Sequence, residues 1–307
     1  MKYILGLLTF LTLISCDDEV LVDPYAIGDK TRDSIYLKVQ ELYTAQKYTD
    51  AEKLLNSIRA RDIYDLGYYS FNAKVKYNLQ KYSDAIHFIN SALRVDNSNS
   101  TIYFIKAQCY SALELQDSAI MCLNKAISLD STNKGYIFAR MQFYKGTKIP
   151  ILQFDDINRL LRLDSNNLKF HSYMALFYYE QGDTNSALHI YENILQKESY
   201  NVDALKSIGT INFVRNKIKI AKSYYEKCIQ YDPTDGEVFM AMASILDKEK
   251  KPDRSCDCLL KAVDLGDREA MKHIYKCEEY LRKKGIGIKI DKDTINNTTT
   301  VQKTTEI

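Results

Sequence analysis

The sequence predicts an all-α fold built from stacked helical hairpins, and three observations predict it. Chain-breaking residues are scarce, with 11 Gly and 4 Pro in 307 residues, against an ordinary share of about 12%. Many-stranded sandwiches and barrels need such residues in turns every ~8–12 residues. Hydrophobic residues make up 46% and aromatics 11%, which opposes disorder over most of the length. Acidic residues that close apolar helical patterns recur every 34 residues, at Asp62, Asp96, Asp130, Asp164, Glu198 and Asp232, with Gly266 one step further.

Further ladders share that register. Small residues stand at Ala51, Ala85, Ala119, Ala187 and Ala221, with Gln153 and Ser255 on the remaining rungs. Four residues on come Leu55, Ile89, Leu123, Ile157, Tyr191, Tyr225 and Leu259. Three further come Ile58, Ala92, Ala126, Leu160, Ile194, Cys228 and Ala262. Spacings of four and three place these residues on one helical face. Small residues let the two helices of a hairpin approach, and the large ones fill the core shared with the next hairpin.

This pattern resembles the tetratricopeptide repeat, a 34-residue helix–turn–helix unit. The resemblance covers 32–269 in seven units, starting at 32, 66, 100, 134, 168, 202 and 236. It includes small residues in the first helix (Ala73, Ala107, Ala175, Gly209, Ala243), aromatics three residues on (Tyr110, Tyr144, Tyr178), a turn glycine, Gly182, and a closing Pro233. The family's Trp is absent; Ile35, Tyr69, Tyr103, Ile137, His171, Leu205 and Phe239 fill its slot. The resemblance implies an all-α solenoid whose hairpins must stack to bury their apolar faces. Unit four departs most, with Gln153 and Met141 in small-residue slots, which predicts splayed helices or a local bend.

Local signals fill in the ends of the elements. Thr49 with Glu52 reads as a capping box. Pro150 and Pro252 stand where a second helix should begin. Arg268 to Lys284 reads as one capping helix with Asp267 as its N-cap, closed by Lys283, Lys284 and Gly285. The cap spans 270–285, and 286–307 reads as a disordered tail.

The N-terminus has a different character. Lys2 precedes a charge-free run from Tyr3 to Ile14, too short for a bilayer, which takes about 20 residues of helix. It fits the apolar core of a secretory signal. Leu13-Ile14-Ser15-Cys16 resembles the bacterial lipoprotein signal, which implies removal of 1–15 and lipidation of Cys16, as by palmitate. Residues 16–31 then form an acidic linker. Asp17-Asp18-Glu19 resembles both an inner-membrane retention signal and a surface-export signal; the Lys-, Asn-, Ile- and Tyr-rich composition favours the second. The expected location is the envelope of a Gram-negative bacterium, at the outer membrane, with its face left open.

Little points to catalysis. Neither a His-Glu-x-x-His pattern, a Walker A loop nor a Gly-x-Ser-x-Gly elbow occurs, and His87, His171, His189 and His273 fall in no such motif. Cys256, Cys258, His273 and Cys277 could suggest a metal, but residues two apart on a helix point about 200° apart, so none is expected. Cys228 reads as a core residue, and Cys109 with Cys122 is the foremost disulfide candidate. The 42 Lys+Arg balance 40 Asp+Glu, which sets nucleic acid aside. No cofactor is expected.

The family resemblance implies a concave groove lined by the first helix of each unit. Its positions here are Tyr36 and Tyr43 in unit one, Lys74 and Tyr77 in unit two, and Phe104 and Gln108 in unit three. Unit four adds Phe138, Gln142 and Lys145, unit five Tyr173 and Tyr179, and unit six Lys206 and Phe213. Tyr, Gln and Lys together suit a peptide segment or partner helix. The Lys-and-Asn clamp of the family's chaperone-tail binders is not reproduced, since unit one carries Tyr36 and Gln40. Tyr48, Tyr69, Tyr82, Tyr103, Tyr110, Tyr144, Tyr178, Tyr191 and Tyr225 take packing slots instead. The expectation is a non-enzymatic, lipid-anchored scaffold for another envelope protein; the alternatives are a surface lipoprotein capturing glycan or nutrient, or an enzyme or metal-dependent protein.

Overall fold

Helix boundaries follow the repeat. The computed structural model describes residues 30–58, 65–145 and 149–285; the signal, linker and tail readings, Cys16 and Asp62 lie outside them. Contacts divide the chain after Asn166.

The first unit holds α1 (Lys30–Thr44), α2 (Tyr48–Asn56), α3 (Leu66–Asn78), α4 (Tyr82–Val95), α5 (Ser100–Ala112), α6 (Gln116–Leu129), α7 (Lys134–Tyr144) and α8 (Pro150–Leu163). The second holds α9 (Leu168–Glu180), α10 (Thr184–Lys197), α11 (Val202–Val214), α12 (Ile218–Tyr231), α13 (Gly236–Lys248), α14 (Pro252–Asp264) and a C-terminal cap. The cap is not one helix: α15 (Arg268–His273) passes through a 3₁₀ turn (Ile274–Cys277) into α16 (Glu278–Lys283). No helix among the described residues is long and apolar enough to cross a membrane.

Side-chain caps start the first helices of hairpins two to seven. Asp65, Asn99, Asn133, Asn167, Asn201 and Asp235 each accept a bond from a backbone N–H of the first turn. These too lie 34 apart. Asp96, Asp130, Asp164, Glu198 and Asp232 stand as C-caps of the second helices. Asp96, Asp130 and Asp232 then accept from the N–H and hydroxyl of Ser98, Thr132 and Thr234, which fixes the turn to the next hairpin. Pro150 and Pro252 begin α8 and α14, and Asp267 caps α15 through the Ala270 N–H. The Thr49 and Glu52 capping box does not form: α2 starts at Tyr48 after Lys47, without a side-chain cap. Glu52 instead joins Lys76 and Lys81 of the next hairpin.

The six hairpin turns among the described residues each use a left-handed residue. Gln46, Gln80, Glu114, Gly182, Asn216 and Lys250 all have positive φ, on one 34-residue register. The Glu114 N–H bonds the Ser111 carbonyl and the Leu115 N–H reaches back to Tyr110, a Schellman closure. Of these six only Gly182 is a glycine, although a non-glycine residue pays about 1–2 kcal/mol for this conformation. Glu114→Gly should therefore stabilise the protein by about 0.5–1 kcal/mol, net of the entropy glycine adds to the unfolded chain. Gly182→Ala should cost about 1 kcal/mol. Urea titration reads both.

The ladders form the core. Ala51, Ala85, Ala119, Ala187 and Ala221 have no exposed surface, and the large rungs from Leu55 to Leu259 are all buried. Gly209 is packed so closely on the Tyr225 ring that an added Cβ would sit 2.8 Å from it. Ser255, in a small slot, donates its hydroxyl across the hairpin to the Ala243 carbonyl. Unit four is closed and not splayed within itself. Met141 and Gln153 are buried, and Arg140 of α7 grips Asp156 of α8 through two bonds while a third reaches Asn124 of α6.

Ion pairs tie successive hairpins at their edges. Glu249 accepts from Lys222 and Lys251, and these two, Lys222 first, hold its carboxyl down at about 2. A depressed carboxylate stabilises above its unfolded pKa, and that contribution is lost as pH falls from about 4.5 toward 2. Melting temperature should drop across that window, and Glu249→Gln should flatten the drop.

Candidate partner-binding surface

The thirteen sequence-predicted positions, twelve on first helices and Lys145 at the C-cap of α7, stand in different surroundings. Tyr36 is buried at 8% exposure, its ring 5.4 Å from Phe71 and its hydroxyl donating to both Asp65 carboxylate oxygens. It belongs to the core with Val39, Ala51, Leu55 and Val75 and presents no binding face. The physical reason lies on the next helix, where Gly67 leaves room for the ring and the N-cap Asp65 supplies the acceptor.

Other aromatic positions are half-buried. Tyr43 meets the Tyr48 ring edge-on at 5.4 Å, and its hydroxyl accepts from Asn78 Nδ2. Tyr77 packs beside the Tyr82 ring, and burial pushes its phenol up to about 12. Lys74 Nζ lies 5.9 Å from the centre of the Phe71 ring. Phe104 tilts against Tyr136 at 4.9 Å. With Gln108 it lines a shallow apolar depression whose other walls are Ala107, Ser111, Leu123, Ala139 and Phe143. Phe138 and Gln142 are half-buried on α7, and Lys145 is exposed just past its end.

In the second unit, burial first and Asp203 second raise the Tyr173 phenol. Tyr179 packs against the Ala175, Ala187 and Tyr191 cluster. Lys206 bonds Asp235 at 2.9 Å and Glu237 at 2.8 Å; burial opposes its charge, but the two carboxylates outweigh burial and raise its pKa. Phe213 lies under Lys248, with Nζ 4.3 Å from the ring centre. The structure thus brings Phe104 and Gln108 to one depression, while Lys206 is committed to carboxylates of its own chain. Asp235 could have been found from the N-cap register; Phe143 and Lys248 carry no sequence signal of their own.

The disulfide falls on a pair that the sequence did not single out. Cys109 and Cys122 are free. Cys109 is buried with Leu66, Ala73, Ala85 and Ile89, whereas Cys122 packs on Ala107, Ala119, Leu123 and Ala139. Burial pushes both thiols up, Cys109 to about 12. The bonded pair is Cys256–Cys277. Among the described residues no three His, Cys, Asp or Glu side chains gather as metal ligands.

Residues 100–133 and 209–235 match the tetratricopeptide repeat family. The first segment spans one structural repeat, from the start of α5 to the N-cap of α7. The fold is that of tetratricopeptide-repeat proteins. A tetratricopeptide repeat protein from Parabacteroides merdae is similar over 81% of this chain and 98% of its own, at 15% identity and a TM-score of 0.62. The C-terminal part of a repeat-containing protein from Cytophaga hutchinsonii covers 77% and 98%, at 17% identity and 0.62. Pseudomonas aeruginosa pilF covers 69% and 97%, at 13% and 0.52. At these identities the likeness concerns the tetratricopeptide fold alone. No curated protein matches the chain.

Proposed function

We propose that the chain is a non-catalytic tetratricopeptide scaffold, lipid-anchored in the bacterial envelope through Cys16, that binds another envelope protein or peptide segment on its first-helix faces. One observation carries the binding reading: the half-buried rings of Phe104 and Phe143 share one apolar depression with the Gln108 amide and the Ser111 hydroxyl. Rings of this kind give contact area at low entropy cost, and the flanking polar groups give orientation. Export is supported by the apolar run ending at Cys16 and by the Cys256–Cys277 bond, which suits an oxidising compartment.

Crosslinking in cells with the full chain, followed by identification of the captured protein, tests the scaffold. The Tyr77→Ala, Phe104→Ala, Phe138→Ala variant should lose that partner while keeping the helical circular-dichroism signal; undiminished capture would remove the binding face from this surface. Cys16→Ser should abolish palmitate labelling and membrane retention.

A further inference from the structure

The C-terminal cap is held to the last repeat by a short apolar strip and one covalent bond. Its α-helical pieces have six residues each, parted by the 3₁₀ turn, and isolated helices below about 12–15 residues are marginal. Its buried anchors are Ala270, Ile274, Cys277 and Leu281, set against Leu259, Ala262 and Val263 of α14. Outside this strip, Asp257 accepts from Tyr280 and Lys284, but these are exposed contacts, which contribute little. Cys256, in α14, is joined to Cys277, in the 3₁₀ turn, across a sequence separation of 21. Both partners are buried, at 6% and 2% exposure.

We propose that the Cys256–Cys277 pair is an oxidation-gated lock on the cap. With the disulfide formed, the cap stays docked over the last repeat. With two thiols, the cap opens and uncovers the apolar face of α14. Locking takes two electrons and two protons from the thiols to a disulfide oxidant, RSSR, which leaves as two RSH molecules while the S–S bond forms. Supply of that oxidant in the cell rests on the export reading above; the docking role does not. Cys258 is a free thiol two residues from Cys256, and burial raises its pKa, so it is a poor competitor for the exchange.

The test is amide hydrogen exchange on the full chain, oxidised and then fully reduced, with the Cys256→Ala, Cys277→Ala double variant as a second route to the open state. Loss of a closed loop of this length predicts exchange over 268–285 faster by on the order of a hundredfold, with 66–145 unchanged. Equal exchange over 268–285 in all three samples would overturn the lock. If protein from cells is already reduced but becomes protected over 268–285 when oxidised in vitro, the lock stands and the export reading fails.

Discussion

Asp156→Ala should destabilise the first unit by about 3–5 kcal/mol. Asp156 is 2% exposed and receives two bonds from the Arg140 guanidinium, at 2.6 and 2.9 Å. Removing the carboxylate leaves a largely buried cation with only the Asn124 carbonyl oxygen and the Tyr144 ring, 6.0 Å away, to compensate it. The large effect comes from that orphaned charge and not from the net worth of the pair. Replacing both partners with apolar residues, as in Arg140→Met with Asp156→Leu, should therefore be near neutral or stabilising. Urea unfolding of the single and double variants separates the two cases; equal losses in both would refute the argument.

Leu123→Ala should cost about 2–5 kcal/mol. Leu123 has no exposed surface and joins Ala107, Ala119 and Ala139 in one cluster. It also backs the depression lined by Phe104 and Gln108. Truncation removes contacts and enlarges that depression, so entry of water should hold the cost toward the lower end. Met121, two residues earlier on α6, is 72% exposed, and Met121→Ala should stay within about 0.5 kcal/mol. Melting both variants compares a core rung with its exposed neighbour on one helix.

Most of the architecture was legible because its causes are local. The small and large rungs recur at helical spacing, so Ala85 and Ile89 could be placed together on a buried face from sequence alone. Gly182 and the two helix-starting prolines could be placed in the same way. The N-cap ladder of Asp65, Asn99, Asn133, Asn167, Asn201 and Asp235 was equally available in the register. The candidate surface was legible as a set of helix positions, but not in how deeply each side chain is set.

The sequence by itself determined the repeat and its register, because residue types recur every 34 positions, and which helix faces are apolar, because that depends on residues three and four apart along one helix. Tertiary structure alone decided the pairings between elements. It buried Tyr36 against Gly67 and Asp65, turned Glu52 from a cap into a link to Lys76 and Lys81, and closed unit four with Arg140 and Asp156. It joined Cys256 to Cys277 and left Cys109 and Cys122 in separate clusters. Such pairings depend on which faces meet after stacking, and residues 16 to 31 positions apart leave no periodic mark of that meeting.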